Sequence, residues 1–169
     1  LYFGQDHEFL RPKGVIWLKI MLPKDKMSIE HRVYSRLYVA CVKESLNELS
    51  YPAKQAGLNY NIRDSYEGIL LDVNGYKESA MKLYELMLDH MVDFSITNEQ
   101  FEAVKDKIVR DYDNFALSDA HQQTRELSSD VMFGIKYTWE DALPVAKGSS
   151  LNSLKKYGSS LYKKTFVEA

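Results

Sequence analysis

The apolar residues of this chain change period along its length, and that change restricts the fold more than any other feature. From Gly14 to Leu22 the period is two. Ile16, Leu18, Ile20 and Leu22 share one face, and Val15, Trp17, Lys19 and Met21 share the other. Both faces are mostly apolar, which predicts a strand near the middle of a sheet. Pro23-Lys24-Asp25-Lys26 reads as a charged turn that ends it. The period then shifts to that of a helix. Ser28 is placed to cap a long helix running to about Leu49, with Val33, Tyr34, Leu37, Tyr38, Ala40, Cys41, Val42 and Leu46 on a broad apolar face. Pro52 reads as the start of a second short helix, where its missing N–H does no harm, and Gly57 as its stop.

Period two returns once. Leu58, Tyr60 and Ile62 alternate with Asn59, Asn61 and Arg63. From Gly68 to Tyr76, Ile69, Leu71 and Val73 share a side. Asp64-Ser65-Tyr66-Glu67 joins the two runs, which predicts a hairpin. Beyond Gly75 the chain reads as helical. One helix spans Lys77 to about Asp93. The next follows the capping box Thr97-Asn98-Glu99-Gln100 and carries Phe101, Val104, Ile108, Tyr112 and Phe115. Further helices are expected over Ala120–Phe133, after Thr138 with Pro144 near its start, and along Leu151, Leu154, Gly158, Leu161 and Tyr162. Thr165-Phe166-Val167 reads as the start of another strand. Strand, helix, hairpin and then helices predict an α+β domain over 1–169, with helices packed on one face of a mixed or antiparallel sheet.

Charge and cysteine narrow the classes. Twenty-two Lys and Arg against 24 Asp and Glu, with both signs scattered, supply no basic stripe for nucleic acid. The single cysteine, Cys41, excludes an intrachain disulfide, and its apolar stripe predicts a buried, inert thiol that fits a reducing compartment. No apolar run is long enough to span a membrane, and the opening residues lack the pattern of a signal peptide. The first residue is Leu1, which is expected of a segment of a longer protein.

The search for chemistry finds no constellation. No two of His7, His31, His90 and His121 stand at i, i+4, the local spacing that gathers zinc ligands on a helix face. His-x-x-Glu-His and His-Glu-x-x-His are absent. Cys41 has no base beside it, and the glycines are scattered singly instead of forming a phosphate loop. Glu44 with Glu48 and Asp111 with Asp113 are carboxylate pairs of the kind solvated helix faces produce. The 12 tyrosines, Tyr34, Tyr38, Tyr60 and Tyr84 among them, fit either a tyrosine-rich core edge or a surface that contacts a peptide or another domain.

Several segments, in order, carry a resemblance. They are Leu1-Tyr2-Phe3-x-Gln5-Asp6-x-x-Phe9-x-x-Pro12-Lys13, then Tyr38, Lys43, Ser45-Leu46-Asn47-Glu48 and Tyr51. Ala53, Ala56-Gly57-Leu58 and Tyr60 follow, and then Gly68, Leu71, Val73 and Gly75-Tyr76. Phe101, Lys105, Asn114-Phe115, His121-Gln122, Trp139 and Leu151 complete the series. Together they resemble the third domain of insulysin- and pitrilysin-type zinc metallopeptidases, over nearly the whole chain. The resemblance implies a parent of four homologous α+β domains, whose two halves close around a peptide-admitting chamber. Its zinc motif would lie in the first domain. For this chain it implies a wall domain with no catalytic, cofactor-binding or metal-binding residue. Zinc would be in the parent, the partners would be the other domains and peptide substrate, and the location cytoplasmic. It also implies a domain cut before its closing strand, near Phe166, with an open sheet edge prone to self-association. An inactive processing-peptidase-like core subunit is the alternative, distinguished by the rest of the gene. An unrelated tyrosine-rich binding module is a third, distinguished by architecture.

Overall fold

The structure, a computed structural model, describes residues 4, 7–8, 12–21, 28–135, 137–163 and 165–168, with residues 48–50 and 77 described by backbone alone. Leu22, the turn at 23–26 and most of the opening segment lie outside the described residues.

The first strand, β1 (Lys13–Met21), pairs antiparallel along its length with β3 (Gly68–Tyr76), in a register that sets Leu18 opposite Leu71 and Ile20 opposite Ile69. β2 (Asn59–Ser65) flanks β3, and β4 (Phe166–Glu168) flanks β1, giving the order β2-β3-β1-β4. Every pairing is antiparallel, so the mixed alternative falls away. β1 is central, as its two apolar faces implied. Among the described residues, however, only one face is covered. Leu18, Ile20, Ile62, Ile69, Leu71 and Val73 are buried beneath helices, whereas Val15 and Trp17 on the opposite face are exposed.

Two helices cover the buried face. α1 (Ile29–Ser45) is capped by the Ser28 hydroxyl, which accepts from the His31 N–H at 3.2 Å, and it buries Val33, Leu37, Tyr38, Cys41 and Val42. α3 (Lys77–Val92) lies on β1 and β3 and buries Ala80, Leu83, Met87 and Met91. A second layer packs on α1. It contains α4 (Asn98–Phe115), α6 (Trp139–Gly148) and α7 (Leu151–Leu161), which bury Phe101, Ile108, Ala142, Ala146 and Leu154. Thr97 and Gln100 form the expected capping box of α4, at 2.9 and 3.1 Å. At α6 the Asp141 carboxylate accepts from both the Thr138 N–H (2.9 Å) and its hydroxyl (3.1 Å). α5 (Ala120–Phe133) has the bounds the sequence implied, yet it buries none of its residues.

Three local readings need correction. The long helix does not reach Leu49, and Pro52 does not start the second one. The break falls at Leu46, and α2 (Asn47–Gln55) holds Pro52 inside it. The reason is local. The Leu46 N–H is shared between the Val42 and Lys43 carbonyls (3.1 and 3.2 Å), and the Ser45 hydroxyl donates to Val42 O at 2.8 Å. This tightening ends α1 while Leu46 itself stays buried. Gly57, at φ +77°, closes α2 as foreseen. Its N–H donates to Lys54 O and the Leu58 N–H to Ala53 O, both at 3.0 Å. The hairpin is also tighter than a four-residue join. Ser65 pairs with Gly68, leaving Tyr66 and Glu67 as the turn. Gly68 adopts φ +147°, and a Cβ there would lie 1.9 Å from Ile20 O, so the close passage of β1 demands glycine.

Among the described residues no helix is long and apolar enough to cross a membrane.

Candidate functional site

The structure keeps the potential ligands apart. His31 lies in the first turn of α1, its Nε2 3.3 Å from the Tyr157 hydroxyl and its ring 5.1 Å from that of Tyr157. His90 is half-buried in the last turn of α3. His121 is exposed in the first turn of α5, and His7 is exposed near the start. Among the described residues no three His, Cys, Asp or Glu side chains gather where a metal ion could be held. Cys41 is fully buried, and that burial, followed by the Glu44 carboxylate, pushes its thiol up to about 12. A nucleophile or ligand needs the thiolate, which this position disfavours. The carboxylate pairs separate as well. Asp111 pairs with Arg36 at 3.2 Å and Asp113 with Lys147 at 3.6 Å. Glu44 accepts from the Asn47 amide at 3.0 Å, and the Glu48 side chain lies outside the description.

Seven of the tyrosines form two clusters, while Tyr60 and Tyr84 are half-buried against the core and Tyr51 and Tyr76 are exposed. Tyr38 is a core residue whose hydroxyl donates to Met91 O and lies 2.7 Å from the Tyr162 hydroxyl, which reaches the same carbonyl at 3.1 Å. Tyr157 stacks on Tyr34 and meets the edge of Tyr38. These rings seal the seam between α1, α3 and α7. Burial raises Tyr38, Tyr157 and Tyr162 above the usual phenol range, so their hydroxyls stay protonated and act as hydrogen-bond donors.

Tyr66, Tyr112 and Tyr137 instead line a cleft of about 160 Å³ with Phe115, Trp139 and α5. Two arginines one helical turn apart on α1 organise it. Arg32 lies 4.4 Å over the Tyr66 ring and 3.2 Å from Asp64, and Arg36 lies 4.8 Å over the Tyr112 ring and pairs with Asp111. Tyr66 donates to Asp130 at 2.9 Å, with Glu126 at 3.3 Å, and its ring stacks on Phe133 at 4.6 Å. Burial, and then the bond to Asp130, raises Tyr66. Each guanidinium faces an aspartate and a ring, although the buried Arg32 Nη1 makes no hydrogen bond of good geometry, and Tyr66 is the residue that holds α5 by its polar side. Sequence reasoning missed this cleft. The available signal was Arg32 and Arg36 at i, i+4 on one helix.

The uncovered sheet face is the other candidate surface. Trp17 (47 % exposed) and Val15 (70 %) stand beside a polar ladder. In it Asn59 meets Asn74 at 3.4 Å, Asn61 meets Asp72 at 3.5 Å and Arg63 meets Asp72 at 3.4 Å. Lys19 pairs with Glu67 at the rim. An apolar indole flanked by amides and paired charges can grip a peptide through area and hydrogen bonds. It offers no nucleophile with an adjacent base.

Comparison with known proteins gives the same outline. The family model described as the middle or third domain of peptidase M16 matches residues 1–145. The insulin-degrading enzyme of Homo sapiens is 28 % identical over all 169 residues, which span 17 % of its length. A putative zinc protease of Schizosaccharomyces pombe, mug138, is 26 % identical, again with 17 % of its length covered. The crystal structure of pitrilysin superposes on 98 % of this chain with a TM-score of 0.87 at 19 % identity, using 18 % of its own chain. The periplasmic protease PqqL from Escherichia coli gives 0.60 over 94 % at 17 % identity, using 20 % of its chain. The chain therefore spans about a sixth to a fifth of the length of these four proteins.

Proposed function

This chain belongs to the peptidase M16 family, as its middle or third domain, and from that premise we propose that it contacts and confines peptides without performing their cleavage. In this reading it forms part of the wall of a closed substrate chamber. The observation that carries the reading is the one-sided sheet. All the packed helices cover one face, and the other presents Trp17, Val15 and the amide ladder to whatever lies opposite. A soluble domain that leaves a tryptophan exposed on a central strand has a surface suited to a partner. Residues 1–169 act as one domain, and the other domains of the parent are its permanent partners.

Zinc, in this reading, sits elsewhere in the parent, where it would activate a bound water for attack on the peptide bond. The described residues of this chain do not fit a zinc site, because their ligating side chains do not converge. What this chain supplies is area, hydrogen bonds and shape. The relatives carry names for insulin degradation and, in Saccharomyces cerevisiae, for a-factor processing. Small polypeptides are therefore the substrate class we assign to the parent.

The test uses a fluorogenic peptide with the chain alone and with its full-length parent, each with and without a chelator. The chain alone should release no fluorescence, and the parent's cleavage should stop on chelation. Chelator-sensitive cleavage by the chain alone would overturn the reading.

A further inference from the structure

The cleft among α1, α4, α5, α6 and the β2–β3 turn has more hydrogen-bonding capacity than its own residues use. Each guanidinium carries five N–H donors. Among the described residues Arg36 makes one hydrogen bond, to Asp111 at 3.2 Å, and Arg32 faces Asp64 without a hydrogen bond of good geometry. The acidic groups of the cleft are short of partners too. Glu126, Asp130 and Glu140 line it, the Tyr66 hydroxyl serves the first two, and no described Lys or Arg pairs with any of the three.

Tyr66 fixes the separation of the two charged ends. Its ring lies 4.4 Å from the Arg32 guanidinium, and its hydroxyl is 2.9 Å from Asp130. Cation and anion thus stand about one phenol apart. Tyr137 spans the same gap. Burial raises its hydroxyl, and Arg32 and Asp130 then act on it with opposite signs. An ammonium and a carboxylate on one carbon, each making a charge-assisted hydrogen bond of about 2.8 Å, cover such a gap.

The remaining walls are rings. Phe115 and Trp139, their centroids 5.8 Å apart, stand beside Tyr112. The volume of about 160 Å³ admits one aromatic ring and not a longer chain. Charge sorts the candidates further. A bare anion would face three carboxylates and a bare cation two guanidiniums, whereas a molecule carrying both charges matches each end.

We propose that this cleft binds a free α-amino acid with an aromatic side chain. Its carboxylate points to Arg36 and Arg32, its ammonium to Glu126 and Glu140, and its ring lies against Phe115 and Trp139. Arg36 and Glu140 are partly open to solvent, so the charged ends enter last. The cleft shares no lining residue with the open sheet face, so this site is separate from the surface that would contact peptides.

The test is calorimetric titration of the full-length parent with L-phenylalanine. N-acetyl-L-phenylalanine and L-phenylalaninamide, each lacking one charged end, are titrated beside it. L-Phenylalanine should bind with a Kd of about 1 mM or tighter, and each blocked form about tenfold more weakly. Arg36→Gln should weaken L-phenylalanine about tenfold and leave the amide within about twofold. Glu140→Gln, at an exposed position, should weaken L-phenylalanine and the amide and spare the N-acetyl form. It carries the test alone if Arg36→Gln fails to fold. No saturable binding of L-phenylalanine, blocked forms that bind as tightly as it does, or binding indifferent to Glu140→Gln would each overturn the proposal.

Discussion

α1 and α5 are helices of similar length, 17 and 14 residues, with apolar residues at helical spacing in both, yet they end in opposite environments. α1 lies between the sheet and a second layer of helices and buries seven residues. α5 buries none, and its Val131 and Met132 are largely exposed. The contrast shows what periodicity contains. It says that a helix has a side to bury, and it does not say whether the partner belongs to the same domain. In α1 that partner is β2, β3, α4 and α6 of this chain. In α5 Phe133 stacks on Tyr66 and Leu127 borders the cleft, while Val131 and Met132 stay open among the described residues.

The sharpest way to break the comparison is truncation on each helix. Leu37→Ala removes a side chain with no exposed surface and should cost about 2–5 kcal/mol in denaturant unfolding. A loss below about 1 kcal/mol would mean that α1 is not the central helix described here. Tyr38→Phe probes the same seam more finely. It removes the hydroxyl shared with Met91 O and Tyr162, and should cost about 1 kcal/mol, with the Tyr162 hydroxyl taking over part of the carbonyl.

Alkali gives a smaller and more selective contrast. Cys41 is held as a neutral thiol, raised from near 9 to about 12 by burial and then by Glu44. Its contribution is complete below about pH 9, where both folded and unfolded chains keep the proton. It declines between about 9 and 12, where only the unfolded chain loses it. Cys41→Ala should therefore flatten the fall of stability over that interval, by at most about 1.4 kcal/mol per pH unit. The buried tyrosines raised beside it keep the remaining slope downward. α5 carries no Cys or Tyr of its own, but the Tyr66 hydroxyl that donates to its Asp130 is raised by burial and then by that bond, so ionising it in strong alkali should also loosen α5. The smallest effect is expected from Leu127→Ala in this chain, within about 0.5 kcal/mol, because the side chain is more than half exposed. A cost comparable to that of Leu37→Ala would erase the difference between the helices.

Much of this architecture was legible from residues alone. The alternation in β1 and β3, the capping box at Thr97 and the bounds of α5 are all set by local chemistry, so the sequence displays them directly. Elsewhere the deciding contact is distant or subtle. Pro52 looked like a helix start because proline is well tolerated there, but the shared N–H of Leu46 moved the break to Leu46. The two apolar faces of β1 placed it correctly in the middle of the sheet. They could not say that Val15 and Trp17 would stay exposed, since that depends on which side the helices pack. The clasp of Arg32, Tyr66 and Asp130 joins three separate elements, and no local pattern announces it.

The central claim is that this domain holds peptide and leaves the chemistry to another part of the parent. It is tested most directly by Trp17→Ala in the full-length peptidase, with KM, kcat and bound zinc measured together. The indole lies on the exposed sheet face and touches no buried core, so the variant should fold. The expected result is a KM raised about three- to tenfold, with kcat within about twofold and zinc content unchanged. A fall in kcat of a hundredfold with KM unchanged, or loss of zinc, would place this face in the chemistry itself and contradict the claim.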